Sequence, residues 1–194
     1  MADNTTTSID KWNGSPLVYL PLDLGAKMKQ CDRYVVDDAD FALYALADLK
    51  EADLQTICAT VKSIFTRNVV KLPQADVADL LFPTPGWNSL TRKNLGELVV
   101  YHVAQLDTKW NNCKEASEPK LPWYPYDFVV ATSKDWQSDG LVLVHCERGG
   151  RDDLFTVDSC RMPVKDVGLS LTTLRGRDDT FQNLKRSFEI KPVG

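Results

Sequence analysis

Leu54, Ile57, Cys58, Val61, Ile64 and Phe65 recur at spacings of three and four along one face, while Gln55, Thr56, Lys62 and Ser63 take the opposite side. That spacing predicts an amphipathic helix with one buried stripe. A second stripe, Leu95, Leu98, Val99, His102, Val103 and Leu106, predicts a long helix from about Thr91 to Trp110. Arg92 and Lys93 stand at its start, where the helix dipole disfavours positive charge. Asp37 and Asp38 offer N-caps for a helix carrying Phe41, Ala42, Leu46 and Leu49. Pro73 opens a short helix with Val77, Leu80 and Leu81 inward, and Pro83-Thr84-Pro85-Gly86 stops it. Leu17–Leu20, flanked by Pro16 and Pro21, reads as extended chain.

The pattern changes after residue 126. Phe128–Ala131 and Leu141–Val144 are short apolar runs bounded by turn residues, which predicts strands. Leu154–Val157 pairs with Leu141–Cys146 across the Gly149-Gly150 turn as a hairpin. Leu169-Ser170-Leu171-Thr172 alternates and reads as another strand. From Thr180 to Ile190 two readings stand. Phe181, Leu184 and Phe188 suit a helix capped by Asp178 or Asp179, whereas Ser187–Ile190 suits a strand.

These elements predict an α+β fold. Three or four helices in the N-terminal half pack on a mainly antiparallel C-terminal sheet of about four or five strands. Regular β–α–β alternation is missing from the pattern, which argues against a doubly wound nucleotide-binding fold. Residues 1–15 form a polar arm, and 16–194 form one domain. Within it, 16–112 is helical, 113–126 is a proline and aromatic connector, and 127–194 is strand-rich. Pro119, Pro122 and Pro125 deny the connector regular structure. Its aromatics, Trp123, Tyr124 and Tyr126, either fold back over the core or receive a partner.

Composition then narrows the class. A hydrophobic share of 43% with 26% charged residues is that of a globular chain, not a disordered one. The net charge of −4 argues against a broad basic face for nucleic acid. The five cysteines, Cys31, Cys58, Cys113, Cys146 and Cys160, are odd in number, widely spaced and without a CxxC pair. They read as thiols in a reducing compartment. With His102 and His145 the only histidines, a histidine-rich metal site is excluded, and no metal or cofactor is predicted. The first residues lack the basic start and apolar stretch of a secretory signal, and no apolar run matches a bilayer span. A cytoplasmic protein without a membrane partner is the expectation.

Candidate chemistry centres on a charged motif that nearly recurs. Arg148-Gly149-Gly150-Arg151-Asp152-Asp153 is followed by Arg175-Gly176-Arg177-Asp178-Asp179, and Phe155 and Phe181 follow each in turn. Glycine frees the backbone, arginine forks onto carboxylates or phosphates, and paired aspartates cap, bridge or hold a cation. Asp37-Asp38, Asp152-Asp153 and Asp178-Asp179 each stand where a turn or cap wants aspartate, so the local reading comes first. If Thr180–Ile190 is helical, the two motifs occupy different local structures and their likeness is accidental.

Val144–Arg151 resembles the His-Cys-x5-Arg phosphate loop of cysteine-dependent phosphatases, in which a thiolate attacks phosphorus and an arginine clamps its oxygens. Here four residues separate Cys146 from Arg151, one too few for the ring of amides, and a strand follows where that family has a helix. A hairpin is the preferred reading. His102 lies on an apolar helical stripe and reads as a core histidine.

The functional expectation is a non-enzymatic structural or interaction module that self-associates or binds another protein; a viral or phage structural or accessory protein fits that description. Its contact residues are Arg148, Arg151, Asp152, Asp153, Arg175, Arg177, Asp178, Asp179 and Arg186, with the aromatic segment Trp123, Tyr124 and Tyr126. The alternative is nucleic-acid binding through the same arginines, with Lys185 and Lys191 beside them. A second alternative is a cysteine-dependent enzyme acting on a phosphoester through Cys146 or Cys58.

Overall fold

Helices and strands interleave along the chain around a five-stranded mixed sheet. The architecture was read from a computed structural model. It describes residues 18–31, 40–71, 73, 78–84, 93–113 (side chains to 106), 121, 123–149 and 154–191. The strands are β1 (Phe41–Ala45), β2 (Leu81–Pro83), β3 (Asp127–Ala131), β4 (Leu141–Arg148) and β5 (Phe155–Met162). The helices are α1 (Leu22–Cys31), α2 (Glu51–Phe65), α3 (Leu95–Cys113), α4 (Trp136–Asp139), α5 (Val164–Gly176) and α6 (Phe181–Phe188).

Strand order is β2-β1-β3-β4-β5. β1 pairs in parallel with β2 and β3, whereas β3–β4 and β4–β5 are antiparallel. The sheet is therefore mixed, not mainly antiparallel, and its helices are not confined to the front of the chain. α2 links β1 to β2, and α3 links β2 to β3. The first half thus contains two β–α–β crossovers that the sequence pattern hid. All five residues of β1 are buried, so both of its faces are apolar. A central parallel strand reads as a continuous apolar run, without the alternation that marks a half-exposed one. The helix expected over Phe41–Leu49 is instead β1 and the turn leading to α2. Its proposed caps, Asp37 and Asp38, lie outside the described residues. Leu81, expected at the end of a helix from Pro73, opens β2; residues 74–77 are outside the description.

Two apolar layers sandwich the sheet. One packs α1 and α3 on Ala42, Tyr44, Phe128, Val130, Val142 and Val144. The other packs α2, α5 and α6 on Phe41, Leu43, Val129, Leu141, Leu143 and Cys160. Successive strand residues alternate between the layers, as the period of two requires. α2 is anchored at its start, where the Asp53 carboxylate accepts the Lys50 N–H at 2.8 Å. It runs on into a π-helical turn, Thr66–Val70.

The predicted β4–β5 hairpin is present. Leu169–Thr172, read as a strand, lies inside α5. Val164, Val167, Leu171 and Leu174 form that helix's buried stripe, and the short Leu-Ser-Leu-Thr alternation is incidental to it. Of the two readings for the tail, the helix stands: α6 opens at Thr180, whose Oγ1 accepts the Asn183 N–H at 3.3 Å. The polar arm, residues 1–15, is outside the described residues. The outer edge of β5 is covered at both ends. Leu20 N–H bonds Phe155 O and Val157 N–H bonds Val18 O, each at 2.9 Å, and Ile190 N–H bonds Arg161 O at 2.8 Å. A covered edge does not template pairing with other chains.

Candidate functional site

Three segments far apart in the chain meet at one end of the sheet. β3 begins at Asp127 just after the proline and aromatic connector, β4 ends at Arg148, and the α5–α6 junction crosses above them. Between them lies a cavity of about 670 Å³. Its floor and walls are Tyr124, Tyr126, Asp127, His145, Leu174 and Phe181, all buried or half-buried. Its rim, Glu147, Arg148, Arg177, Asp178, Asp179 and Thr180, is exposed and carries both signs of charge.

Register explains the floor. Asp127 is paired with His145 across β3–β4, and His145 with Asp158 across β4–β5. Cross-strand partners point to the same face, so an acid, an imidazole and an acid form a row under α6. Asp127 Oδ1 lies 2.7 Å from His145 Nδ1, and Asp127 is 1% exposed. Nε2 has no hydrogen-bond partner among the described residues. The imidazole stacks on Phe181 with ring centroids 4.9 Å apart. Asp158 accepts from Lys185 Nζ at 2.7 Å and from Gln182 Nε2 at 2.8 Å, which ties α6 to the sheet.

The electrostatics follow from burial and pairing. Burial alone would lower the His145 pKa, but the hydrogen bond and charge of Asp127 outweigh it, and Glu147 and Asp158 add to the rise. Burial raises the Asp127 carboxyl, against the pull of His145. Asp127 and His145 therefore act as one unit that holds a proton firmly. Burial would raise Asp158 too, but Lys185 and the other donors bring its pKa below the ordinary range.

The second charged motif is built into a helix junction. α5 ends in a left-handed turn at Arg177, φ +57°. Arg177 N–H bonds Leu174 O, and Asp178 N–H bonds Thr173 O. Glycine usually takes such a position, yet here Gly176 stands one residue before it. Asp179 Oδ1 accepts from Thr180 N–H and from Asn183 Nδ2, so this aspartate serves the start of α6. The likeness of the two motifs is therefore not structural, since one ends a strand and the other joins two helices. Even so, Arg148 and Arg177 share one rim.

Other predicted residues fall elsewhere. Arg151, Asp152 and Asp153 lie outside the described residues. Arg175 sits over the Phe41 ring at 5.4 Å and does not line the cavity. Arg186 is exposed on α6, away from it. Trp123 is buried in the α1–α3 layer, so the connector does fold back over the core there. Tyr124 and Tyr126 reach the cavity. Tyr124 also packs on Phe41 at 5.1 Å.

Cys146, next in chain to His145, turns into the opposite apolar layer. Burial raises its thiol pKa well above the ordinary range, and burial likewise pushes Cys58 up to about 12. Neither thiol is poised as a nucleophile. His102 is a core residue: Nε2 lies 3.0 Å from Pro125 O, and Nδ1 lies 2.8 Å from Tyr44 Oη. A carbonyl only accepts, so Nε2 carries the proton and Nδ1 accepts from the tyrosine. Among the described residues, no three acidic, thiol or imidazole groups converge to hold a metal ion.

The sequence pointed to the rim and to Tyr124 and Tyr126, and missed the Asp127 and His145 pair on the floor. Asp127 gave one signal, a charge opening an otherwise apolar strand. His145 gave another, since alternation along β4 puts it on the inward face with Leu141 and Leu143. Comparison with protein-family models, with curated proteins and with solved structures finds no match.

Proposed function

We propose that this chain is a protein-interaction module whose cavity receives a side chain from a segment of another protein. One observation carries the reading. Arg148 of the first charged motif, Arg177, Asp178 and Asp179 of the second, and Tyr124 and Tyr126 of the aromatic connector, separate in sequence, line a single cavity with an aromatic floor and a rim of mixed charge. That is the anatomy of a contact in which a buried anchor supplies affinity and rim charges set orientation. The nucleic-acid reading has less support, because Glu147, Asp178 and Asp179 stand among the rim arginines and would repel a phosphate backbone. The cysteine-enzyme reading has less support too, because the one thiol lining the cavity is buried in the far layer.

Selection of displayed random peptides against the full chain tests the proposal. Enriched peptides should bind the wild type and lose at least tenfold in affinity to Arg148→Glu or Arg177→Glu. Peptides that bind both variants as well as the wild type, or no enrichment at all, would overturn it. Light scattering on the same samples reports whether the chain also binds its own copies.

A further inference from the structure

We propose that the floor of the cavity holds an oxyanion carried on a flat aromatic group, with His145 Nε2–H as its donor. This rests on the cavity being a binding site, and it adds the chemistry of the guest. Tyr124, Tyr126 and Phe181 wall the space with rings, which favours a planar apolar body. His145 is fixed in two ways: Asp127 accepts from Nδ1–H, and Phe181 stacks on the ring. Nε2 is left for a guest.

With one ring proton committed to Asp127, Nε2 carries a proton only in the imidazolium. An anion held there must therefore take up a proton from solvent when the imidazole is neutral. Charges around the ring and the cavity come from several elements: Asp127 on β3, Glu147 on β4, Asp158 on β5 with Lys185 of α6 bound to it, and Arg148, Arg177, Asp178 and Asp179 at the rim. Two of these acids already have their own donors. Asp158 is held by Lys185 and Gln182, and Asp179 by Thr180 N–H and Asn183. Glu147 and Asp178 are exposed, where water and salt screen them. The rim acids outnumber Arg148 and Arg177 by one, so the rim does not by itself select an anion, and the preference for one falls to the donor at the floor.

Benzoate, its neutral isostere benzamide and the cation benzamidine are the probes, followed by nuclear magnetic resonance on the full chain. At pH 6, benzoate should bind about tenfold tighter than benzamide, as a charge-assisted hydrogen bond requires, and benzamidine should bind weakest. Shifts should centre on His145, Phe181 and Arg177. Benzoate affinity should fall about tenfold per pH unit above the His145 titration, and saturating benzoate should raise that titration by the matching amount. Phenyl phosphate distinguishes a carboxylate guest from a phosphoryl one by which of the two binds tighter. Benzoate that binds no better than benzamide, a flat pH dependence, or shifts away from these residues would overturn the proposal. If displayed peptides still bind in an arginine-dependent way, only the anion inference falls. If neither peptides nor probes bind, the interaction reading falls with it.

Discussion

Asp127 and His145 face each other across the β3–β4 ladder, with Oδ1 2.7 Å from Nδ1. This contact fixes the ring beneath α6, and Asp158, opposite His145 on the next strand, fastens α6 through Lys185. The row holds α6 onto the sheet and shapes the cavity floor with the same atoms. Stability and recognition are therefore coupled at this point.

The coupling predicts a pH dependence. The pair holds its proton more firmly folded than unfolded. Its contribution is full below the ordinary imidazole value of about 6.5 and is lost as pH rises through the raised His145 titration. Asp127→Asn should cost about 3 kcal/mol at pH 6, since it breaks a buried pair, and clearly less at pH 9. Urea unfolding at the two pH values checks this. An equal cost at both would mean that the pair is not charged in the folded protein.

His102 predicts the opposite slope. It is buried and neutral, and burial lowers its pKa to about 4, against the hydrogen bond to Pro125. The unfolded state takes up a proton near pH 6.5 and the folded state does not, so stability falls as pH drops from 6.5 toward 4. The loss should reach about 3 kcal/mol at pH 4. His102→Gln should flatten that part of the curve whatever it does to absolute stability. Tyr44→Phe leaves Nδ1 without its donor and should cost about 1–3 kcal/mol at pH 7.

Three glycines should separate by what a methyl group would meet. At Gly168 on α5, a Cβ would lie 2.8 Å from Phe65 Cβ on α2, so Gly168→Ala forces the helices apart at about 1–3 kcal/mol. At Gly140, φ +80°, a Cβ would collide with the Met162 carbonyl oxygen, and the alanine variant should be the most damaging. At Gly176 the nearest atom is the movable Asp178 carboxylate, so Gly176→Ala should be neutral or mildly stabilising. Thermal unfolding of the three variants checks the order, and a Gly176→Ala protein as unstable as Gly140→Ala would refute it.

What the sequence disclosed depended on how each element meets water. α2 and α3 have one wet face, so their stripes stood out at Leu54, Ile57 and Val61 and at Leu98, Val99 and Val103. The β4–β5 hairpin was legible from its turn. β1 was not, because Phe41–Ala45 is buried on both sides and carries no period. α5 was missed because four alternating residues outweighed a stripe that spans the whole helix. At the site, exposed glycine, arginine and aspartate announced the rim. The floor depended on register across three strands, and pairing between Asp127, His145 and Asp158 is not written in any local stretch of chain.

Arg177 supplies the sharpest test of purpose at the rim. Its backbone holds φ +57°, a conformation that costs a non-glycine residue about 1–2 kcal/mol. Strain kept at a cavity edge points to a side chain needed there. Arg177→Gly should therefore stabilise the fold by about 1 kcal/mol while weakening the selected peptides. Arg177→Asn, which also tolerates this conformation, should share the gain in stability and the loss in binding. Arg177→Lys should keep the strain and part of the binding, since it retains charge without the planar fork. Unfolding midpoints and peptide titrations on the three variants separate these effects. An Arg177→Gly protein that gains stability and binds as well as the wild type would show that the arginine is not retained for the rim.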